Sequence, residues 1–530
     1  AAPAFREAAA AFGGERQAAA LRFNAGNAAF AAGQFAAAEG DFAACAEAGD
    51  PGLAHSAPYW RAAALVRLER REEACAVLEK LRAGGGLPAD LSADAWMLQA
   101  EAELARGRAK EAAACYAAVG RDHPGHARAG DAAAGHVLAL EKAGDLAAAE
   151  TAAAAFVAAH PQHSQVAAVS FLVGEYRYRR ERFAEAVPAF EAFLKDHGDH
   201  ALAADAAYKA GWSCWQLGEP ARAAPFFNRV AAAFPKAEQA PEAAFMAGRC
   251  ADALDDAEGA ARAFARAAEL APRSDAGLRA ELERVRLDHR ARRYAEALAR
   301  GEAFVQAFGS LPAAAARLPF AWLYIGEALL ELGRPQEALD AYGRAAGGDA
   351  AVARAAKSGR AWALRKLEKP AEAAVLFDEL AADDPTGEAR FWAARSRDDA
   401  GEAARAAADY EAFLKHTAAG ALADEAAYRR AAALARANGF AATEAAFADL
   451  VRTRPGSAFA AAALYDLAWS LLEQKKTAGA STRFAELIRR FPGHPLAGDA
   501  HFRMGEIAYD GDAFDRAAAA YEAALAAGVA

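Results

Sequence analysis

The chain repeats itself, and that limits what it can fold into more than any other feature. The segment Ala223–Gly248, AAPFFNRVAAAFPKAEQAPEAAFMAG, aligns with the first residues, AAPAFREAAAAFGGERQAAALRFNAG. Ala1 falls on Ala223, Phe5 on Phe227 and Gly26 on Gly248, an offset of 222, which is six times 37. An aromatic residue recurs at this step at Phe190, Phe227 and Phe264, and later at Tyr410, Phe447, Phe484 and Tyr521. A small residue stands four places before it (Ala186, Ala223, Ala260, Ala406, Ala480, Ala517). Proline closes many periods eight places after it (Pro124, Pro161, Pro235, Pro272, Pro385, Pro455, Pro492). Self-similarity at a period of about 20–50 residues marks architectures whose units bury their apolar faces only against one another.

Within one period the pattern is two amphipathic helices. Ala206–Gly218 (AAYKAGWSCWQLG) is apolar at helical spacing and ends at Gly, a common residue just past a helix C-terminus. Glu219–Pro235 (EPARAAPFFNRVAAAFP) opens with Pro in its first turn and stops at Pro. Gly211 and Ala223 are small where the two helices approach. Composition agrees: alanine dominates the 55% hydrophobic fraction and the β-branched residues that strands favour are sparse. An all-α chain follows, and the composition argues against a large mixed α/β enzyme. The small residue of the second helix lies near positions 38, 74, 112, 149, 186, 223, 260, 297, 338, 373, 406, 443, 480 and 517, which gives about fourteen helical hairpins.

These residues resemble the tetratricopeptide repeat. Ala321-Trp-Leu-Tyr-Ile-Gly326, followed by Gly333, Ala338 and Tyr342, matches its pattern of small residues, aromatic and turn. The resemblance covers essentially the whole chain and implies a right-handed α-solenoid superhelix with a concave groove that binds proteins or extended peptides. The period of 37 exceeds the ~34 residues of the commonest form. With linkers such as Phe491–Tyr509 (FPGHPLAGDAHFRMGEIAY), it looks like the longer-unit subtype of periplasmic envelope-assembly and Tol-Pal-associated proteins.

The expected organisation is a partial repeat over 1–20, repeats one to eight over 21–310, and repeats nine to fourteen over 311–530. From Ala297 to Ala338 the step is 41, and the next two are 35 and 33, so Gly309–Pro319 (GSLPAAAARLP) is a hinge candidate. Repeat four carries Ala134 and Ala153 where its neighbours carry aromatics, which predicts loose packing, and repeat eight has Gly301 at the aromatic position. Both ends fall inside the repeat, so further residues are expected to be supplied elsewhere.

Catalytic constellations do not assemble. GxSxG, Walker A, HExxH and EF-hand patterns are missing from the sequence. No catalytic residue, metal ligand or cofactor is expected. His160 with His163, and His197 with His200, fall in turns beside Pro or Gly and read as turn histidines. Asp255-Asp256 and Asp383-Asp384 read as loop solvation or helix caps. Five cysteines (Cys45, Cys75, Cys115, Cys214, Cys250) sit among apolar residues without a CxxC and read as buried thiols. The net charge of −10 argues against a nucleic-acid partner, and no stretch is apolar enough for a membrane span.

Two arginine clusters break the acidic background: Arg177, Arg179, Arg180 and Arg182 with Tyr176 and Tyr178, and Arg284, Arg286, Arg290, Arg292 and Arg293 with His289. They read either as solvated helical faces or as sites for phosphates or acidic tails. The phase that faces the groove in the resembling family selects Glu175, Tyr178 and Arg179 in repeat five. It selects Trp212, Trp215 and Gln216 in repeat six, Arg249 and Asp252 in repeat seven, and Arg286 and His289 in repeat eight. Trp and Arg are enriched at interface hot spots. Asn24 and Asn27 are similar to groove asparagines of some members, but the lysines of a carboxylate clamp are missing.

The function expected is a non-enzymatic scaffold for a protein or peptide partner, working over residues 168–309. The alternative is a helical accessory region of a larger enzyme, a glycosyltransferase or murein-active protein, with its catalytic domain elsewhere. The resemblance implies a bacterial periplasmic or envelope location, the cytoplasm being the other choice.

Overall fold

The computed structural model describes residues 1–11, 15–382, 384, 386–417 and 419–528; Asp383 and Pro385 lie outside them. Among the described residues all regular structure is helical: one leading helix, Ala2–Ala11, then fourteen hairpins from Glu15–Ala31 with Phe35–Glu47 to Pro495–Asp510 with Phe514–Ala526. Repeat six shows how sequence sets the hairpin. Its first helix spans Ala203–Gln216, Gly218 takes a left-handed φ of 73°, and its second helix spans Pro220–Ala233 with Pro in the first turn. The same turn position recurs at Glu181, Asp255 and Arg292, each with φ 57°.

The chain forms two compact units, Ala1–Ala271 and Pro272–Ala530. The segment 309–319 lies inside the second, where a 3₁₀ turn at Pro312–Ala314 bridges the helices Tyr294–Phe308 and Leu318–Glu331.

Where a first-helix glycine faces a second-helix aromatic, the hairpin closes on one contact. The glycine of the first helix lies under the aromatic ring of the second: Gly26 under Phe42, Gly174 under Phe190, Gly211 under Phe227, Gly248 under Phe264 and Gly326 under Tyr342. A Cβ on Gly248 would stand 2.5 Å from the Phe264 ring, closer than packed atoms tolerate. Phe42, Phe190, Phe227 and Phe264 are fully buried, as are the small second-helix residues Ala186, Ala223 and Ala260. Burying a ring of this size stabilises by roughly 1.5–3 kcal/mol, and there is one in most repeats.

The irregular repeats find other fillings. Repeat four is not loose: Ala153 is fully buried, in a cluster with Phe156, Val173 and Tyr176, so larger neighbours take up the missing volume. Gly301 in repeat eight is approached by Ile325, whose Cγ1 lies 2.8 Å from where a Cβ would sit. The short steps of 35 and 33 change helix length. The first helix of repeat ten (Ala350–Lys366) has 17 residues and that of repeat eleven (Glu388–Asp399) only 12, against 14 in repeats five (Val166–Arg179), six and seven (Ala240–Ala253).

All five cysteines are free and buried. Burial pushes the Cys75 and Cys115 thiols up to about 11 and the Cys250 thiol up to about 12, which suppresses thiolate chemistry.

Two glycine substitutions separate close approach from helix propensity. Gly40 is exposed in the helix Phe35–Glu47 with nothing within 4 Å of a new Cβ, so Gly40→Ala should stabilise by about 0.8–1 kcal/mol. Gly248→Ala gains the same propensity but must displace Phe264, and overpacking of about 1–3 kcal/mol should give a net loss. Chemical denaturation of both variants checks the opposite signs.

Candidate interaction face on the first helices

Numbering each first helix from its small residue reveals how its face is used. The residue one place after the small residue meets the residue two places before the small residue of the next repeat. Glu175, after Gly174, is ion-paired with Lys209, before Gly211. Trp362, after Ala361, meets Trp392, before Ala394, with ring centroids 4.6 Å apart. Trp469, after Ala468, carries the Arg503 guanidinium 4.6 Å from its ring centroid. A second row joins the fourth residue after the small residue to the first residue after it in the next repeat: Trp215 lies under Arg249 at 5.6 Å, and His289 stands 3.5 Å from Glu327. Spacing of three and four residues puts these positions on one helix stripe.

In the first compact unit this stripe holds most of the sequence-selected residues. Glu175 is half-buried beneath Lys209, whose Nζ is also 5.7 Å from the Tyr178 ring; Tyr178 packs edge-on against Phe183. Arg179 is exposed and donates to Glu141 at 2.8 Å. Trp212 leans inward on Tyr208 and Phe227, at 6.3 and 6.2 Å, and so belongs partly to the core. Trp215 is half-buried under the exposed Arg249, and Gln216 is exposed. The structure thus gathers Glu175 with Tyr178 around Lys209, and Trp215 with Arg249. Nothing in the sequence singled out Lys209, although its place two before Gly211 is the phase that meets the preceding repeat.

In the second compact unit Arg286 donates to Glu283 at 2.6 Å. His289 packs against Tyr294 and Tyr324, at 5.4 and 6.1 Å. Burial pushes the Glu327 carboxyl up to about 7 and pushes the His289 imidazole down. Glu327 carries no signal of its own in the sequence either.

The arginine clusters are neither free basic patches nor merely solvated faces. Arg177, Arg180 and Arg182 converge on the buried Glu150 of the preceding repeat at 2.8, 2.7 and 2.8 Å. Tyr176 donates its hydroxyl to Glu141 at 3.1 Å. In the second cluster Arg293 and Arg300 hold the buried Asp288 at 2.7 and 2.9 Å, and Arg284 pairs with Glu281 at 2.9 Å. Burial opposes ionisation of Asp288, but the hydrogen bonds from Arg293 and Arg300 outweigh it and hold its carboxyl below the usual range.

The turn histidines have backbone work. His163 and His200 each accept a main-chain N–H two residues on, from Gln165 and Leu202 at 3.2 Å, while His197 and His200 pack on Phe193. Asp256 caps the following helix through Gly259 N–H at 2.8 Å. Among the described residues no three His, Cys, Asp or Glu side chains gather as metal ligands would, and no helix is long and apolar enough to cross a membrane.

Stacked two-helix hairpins with a small–aromatic lock and a patterned first-helix stripe define a helical repeat scaffold for protein interactions. The family model of the tetratricopeptide repeat matches residues 171–238, 325–388 and 465–528, and these matches support a tetratricopeptide-repeat protein, a fold that is typically non-catalytic. A search of curated proteins finds no match. Among solved structures, the chain is similar to Naa15/Naa10 bound to HypK-THB, with 12% identity and a TM-score of 0.41 over 96% of this chain and 94% of that one. It is also similar to a tetratricopeptide repeat protein from Parabacteroides merdae (16% identity, TM-score 0.30, 48% of this chain and 92% of that one). The MamA protein gives 17% identity and a TM-score of 0.29 over 40% of this chain and 96% of that one.

The carboxyl of Glu327 makes stability depend on pH. Its folded pKa of about 7 lies above the ~4.3 of an unfolded glutamate, so its contribution is complete below the unfolded value and is lost as pH rises through 7. Glu327→Gln should therefore raise the melting temperature at pH 8 and leave it nearly unchanged at pH 4, as read by thermal unfolding.

Proposed function

We propose that this protein is a non-enzymatic scaffold that holds an extended segment of a partner protein along its first-helix face. In the first compact unit the contact residues are Glu175, Tyr178, Arg179, Trp212, Trp215, Gln216 and Arg249; in the second they are Arg286 and His289. The observation that carries the reading is the half-exposed Trp215, roofed by Arg249 and flanked by Gln216. The lock between the two helices is already complete in Gly211 and Phe227, so hairpin packing does not require a tryptophan at this position. A planar ring beside a guanidinium and an amide supplies contact area at small entropic cost, together with donors for a peptide backbone. The ion pairs Glu175–Lys209 and Arg179–Glu141 hold the neighbouring side chains in place before a guest arrives, which lowers the ordering cost of binding.

The longer period supports a place among envelope-assembly scaffolds of bacteria, through its resemblance to that subtype.

A photo-reactive benzoylphenylalanine at Gln216 should cross-link to a protein partner in cells of the native source. The same group at Glu191, exposed on the second helix of repeat five (Phe183–Asp196), should not. Equal cross-linking from both positions, or none from Gln216, would overturn the reading.

A further inference from the structure

A second place for a guest lies in the second compact unit, outside the contact residues proposed above. A cavity of about 490 Å³ opens between the first helices of repeats ten and eleven, over the second helix of repeat ten (Pro370–Ala381). Its floor is aromatic. Trp362 packs edge-on against Trp392, at 4.6 Å, and against Phe377, at 5.5 Å, and all three line the space. The volume lies within the ~300–1,000 Å³ of small-ligand pockets and suits one long side chain with its flanking backbone.

Charge decides what kind of side chain fits. The lining holds one cation, Arg354, and two carboxylates, Asp384 and Glu388. Two of these three are committed within the chain. Arg354 has a partner of its own, and its charge also acts on Asp384. Asp384 accepts the Thr386 and Ala389 N–H groups at 3.0 and 2.7 Å and the Thr386 hydroxyl at 2.6 Å. Glu388 differs: it is exposed, forms no ion pair among the described residues, and accepts only a 3.4 Å bond from the Trp392 indole. The spare charge of the lining is therefore negative.

The tryptophans of this chain show which cation suits such a surface. Arg82 lies over Trp96 at 3.7 Å, Arg344 over Trp322 at 4.4 Å, Arg503 over Trp469 at 4.6 Å and Arg249 over Trp215 at 5.6 Å. Arg365 reaches Trp362 and Trp392, at 5.9 and 5.2 Å, from outside the cavity: it lines a neighbouring one and donates to Ser396 and Asp399. The cavity side of the two rings thus joins aromatic surface to a carboxylate that no cation answers.

We infer that this notch, resting on the proposed peptide-holding function, receives an arginine side chain of a partner segment. Its guanidinium lies along Trp362 and Trp392 and donates to Glu388, with the Ser358 hydroxyl as a further acceptor on the wall of repeat ten. A planar guanidinium stacks on a ring while presenting two parallel N–H groups to a carboxylate, which an ammonium cannot do.

The test uses the full chain carrying 5-fluorotryptophan, read by fluorine NMR, with the resonances of Trp362 and Trp392 assigned from Trp362→Phe and Trp392→Phe. The probe is the end-blocked heptapeptide Gly-Ser-Ala-Arg-Ala-Ser-Gly, with counterparts carrying citrulline (the same shape without the charge), Lys or Glu in place of Arg. The Arg peptide should shift both resonances and bind at least about threefold more tightly than the citrulline peptide, with the Lys peptide between them. Glu388→Gln exchanges an exposed side chain for its neutral isostere, so the melting temperature should hold. It should weaken the Arg peptide at least about twofold and leave the citrulline peptide unaffected. No shift of either resonance, equal affinity for the Arg and citrulline peptides, tighter binding of the Glu peptide, or indifference of the Arg peptide to Glu388→Gln would overturn the inference. If that happens while Gln216 still cross-links to a partner, the notch alone is lost; loss of both removes the peptide-holding function as well.

Discussion

The structure depends on a close approach that only a small residue permits: a first-helix glycine or alanine lying directly under an aromatic ring of the second helix. Gly174, Gly211 and Gly248 let Phe190, Phe227 and Phe264 descend to ring–backbone contact, and the hairpin angle follows. Neither helix has a wide enough apolar stripe to stand alone, so each hairpin completes its core with the next. A contact of this kind recurs only if its residues recur, which is why the lock is written along the chain as a 37-residue period.

Once that lock is in place, the outward stripe of each first helix is free to vary, and the chain uses the freedom mainly for contacts with itself. Glu175 answers Lys209, Trp215 lies under Arg249, and three arginines surround Glu150. A buried carboxylate ringed by guanidiniums ties one repeat to the next at a defined register, and removing it would strand several charges. A partner segment therefore meets a face whose side chains are already oriented.

The sequence disclosed the hairpins, their number and their packing residues, because every one of these is a statement about equivalence, and equivalence is what a period reports. It also placed Tyr178, Trp215 and Gln216 on the first-helix stripe. Pairing was hidden. Arg182 and Glu150 lie 32 residues apart and Lys209 and Glu175 lie 34 apart, so neither pair falls on the 37-residue step. Which phase of one repeat meets which phase of the next is set by how hairpins rotate against each other, and a period carries no such information. The basic clusters consequently read as solvated faces or as sites for phosphates or acidic tails, whereas Arg177, Arg179, Arg180, Arg182, Arg284, Arg286 and Arg293 each answer a carboxylate of this chain. The steps of 35 and 33 were visible, but only as support for a hinge candidate at 309–319; that one first helix is short and that Trp362 and Trp392 line a cavity are properties of the folded chain alone.

Hydrogen exchange on a Phe227→Ala variant tests the dependence of each hairpin on its own lock most directly. Removing a fully buried ring costs about 3–5 kcal/mol at that site. In a stack coupled only through nearest neighbours, amide protection should fall in repeats five to seven and persist in repeats one and thirteen. A uniform loss of protection along the whole chain, or no loss around Phe227, would contradict the account.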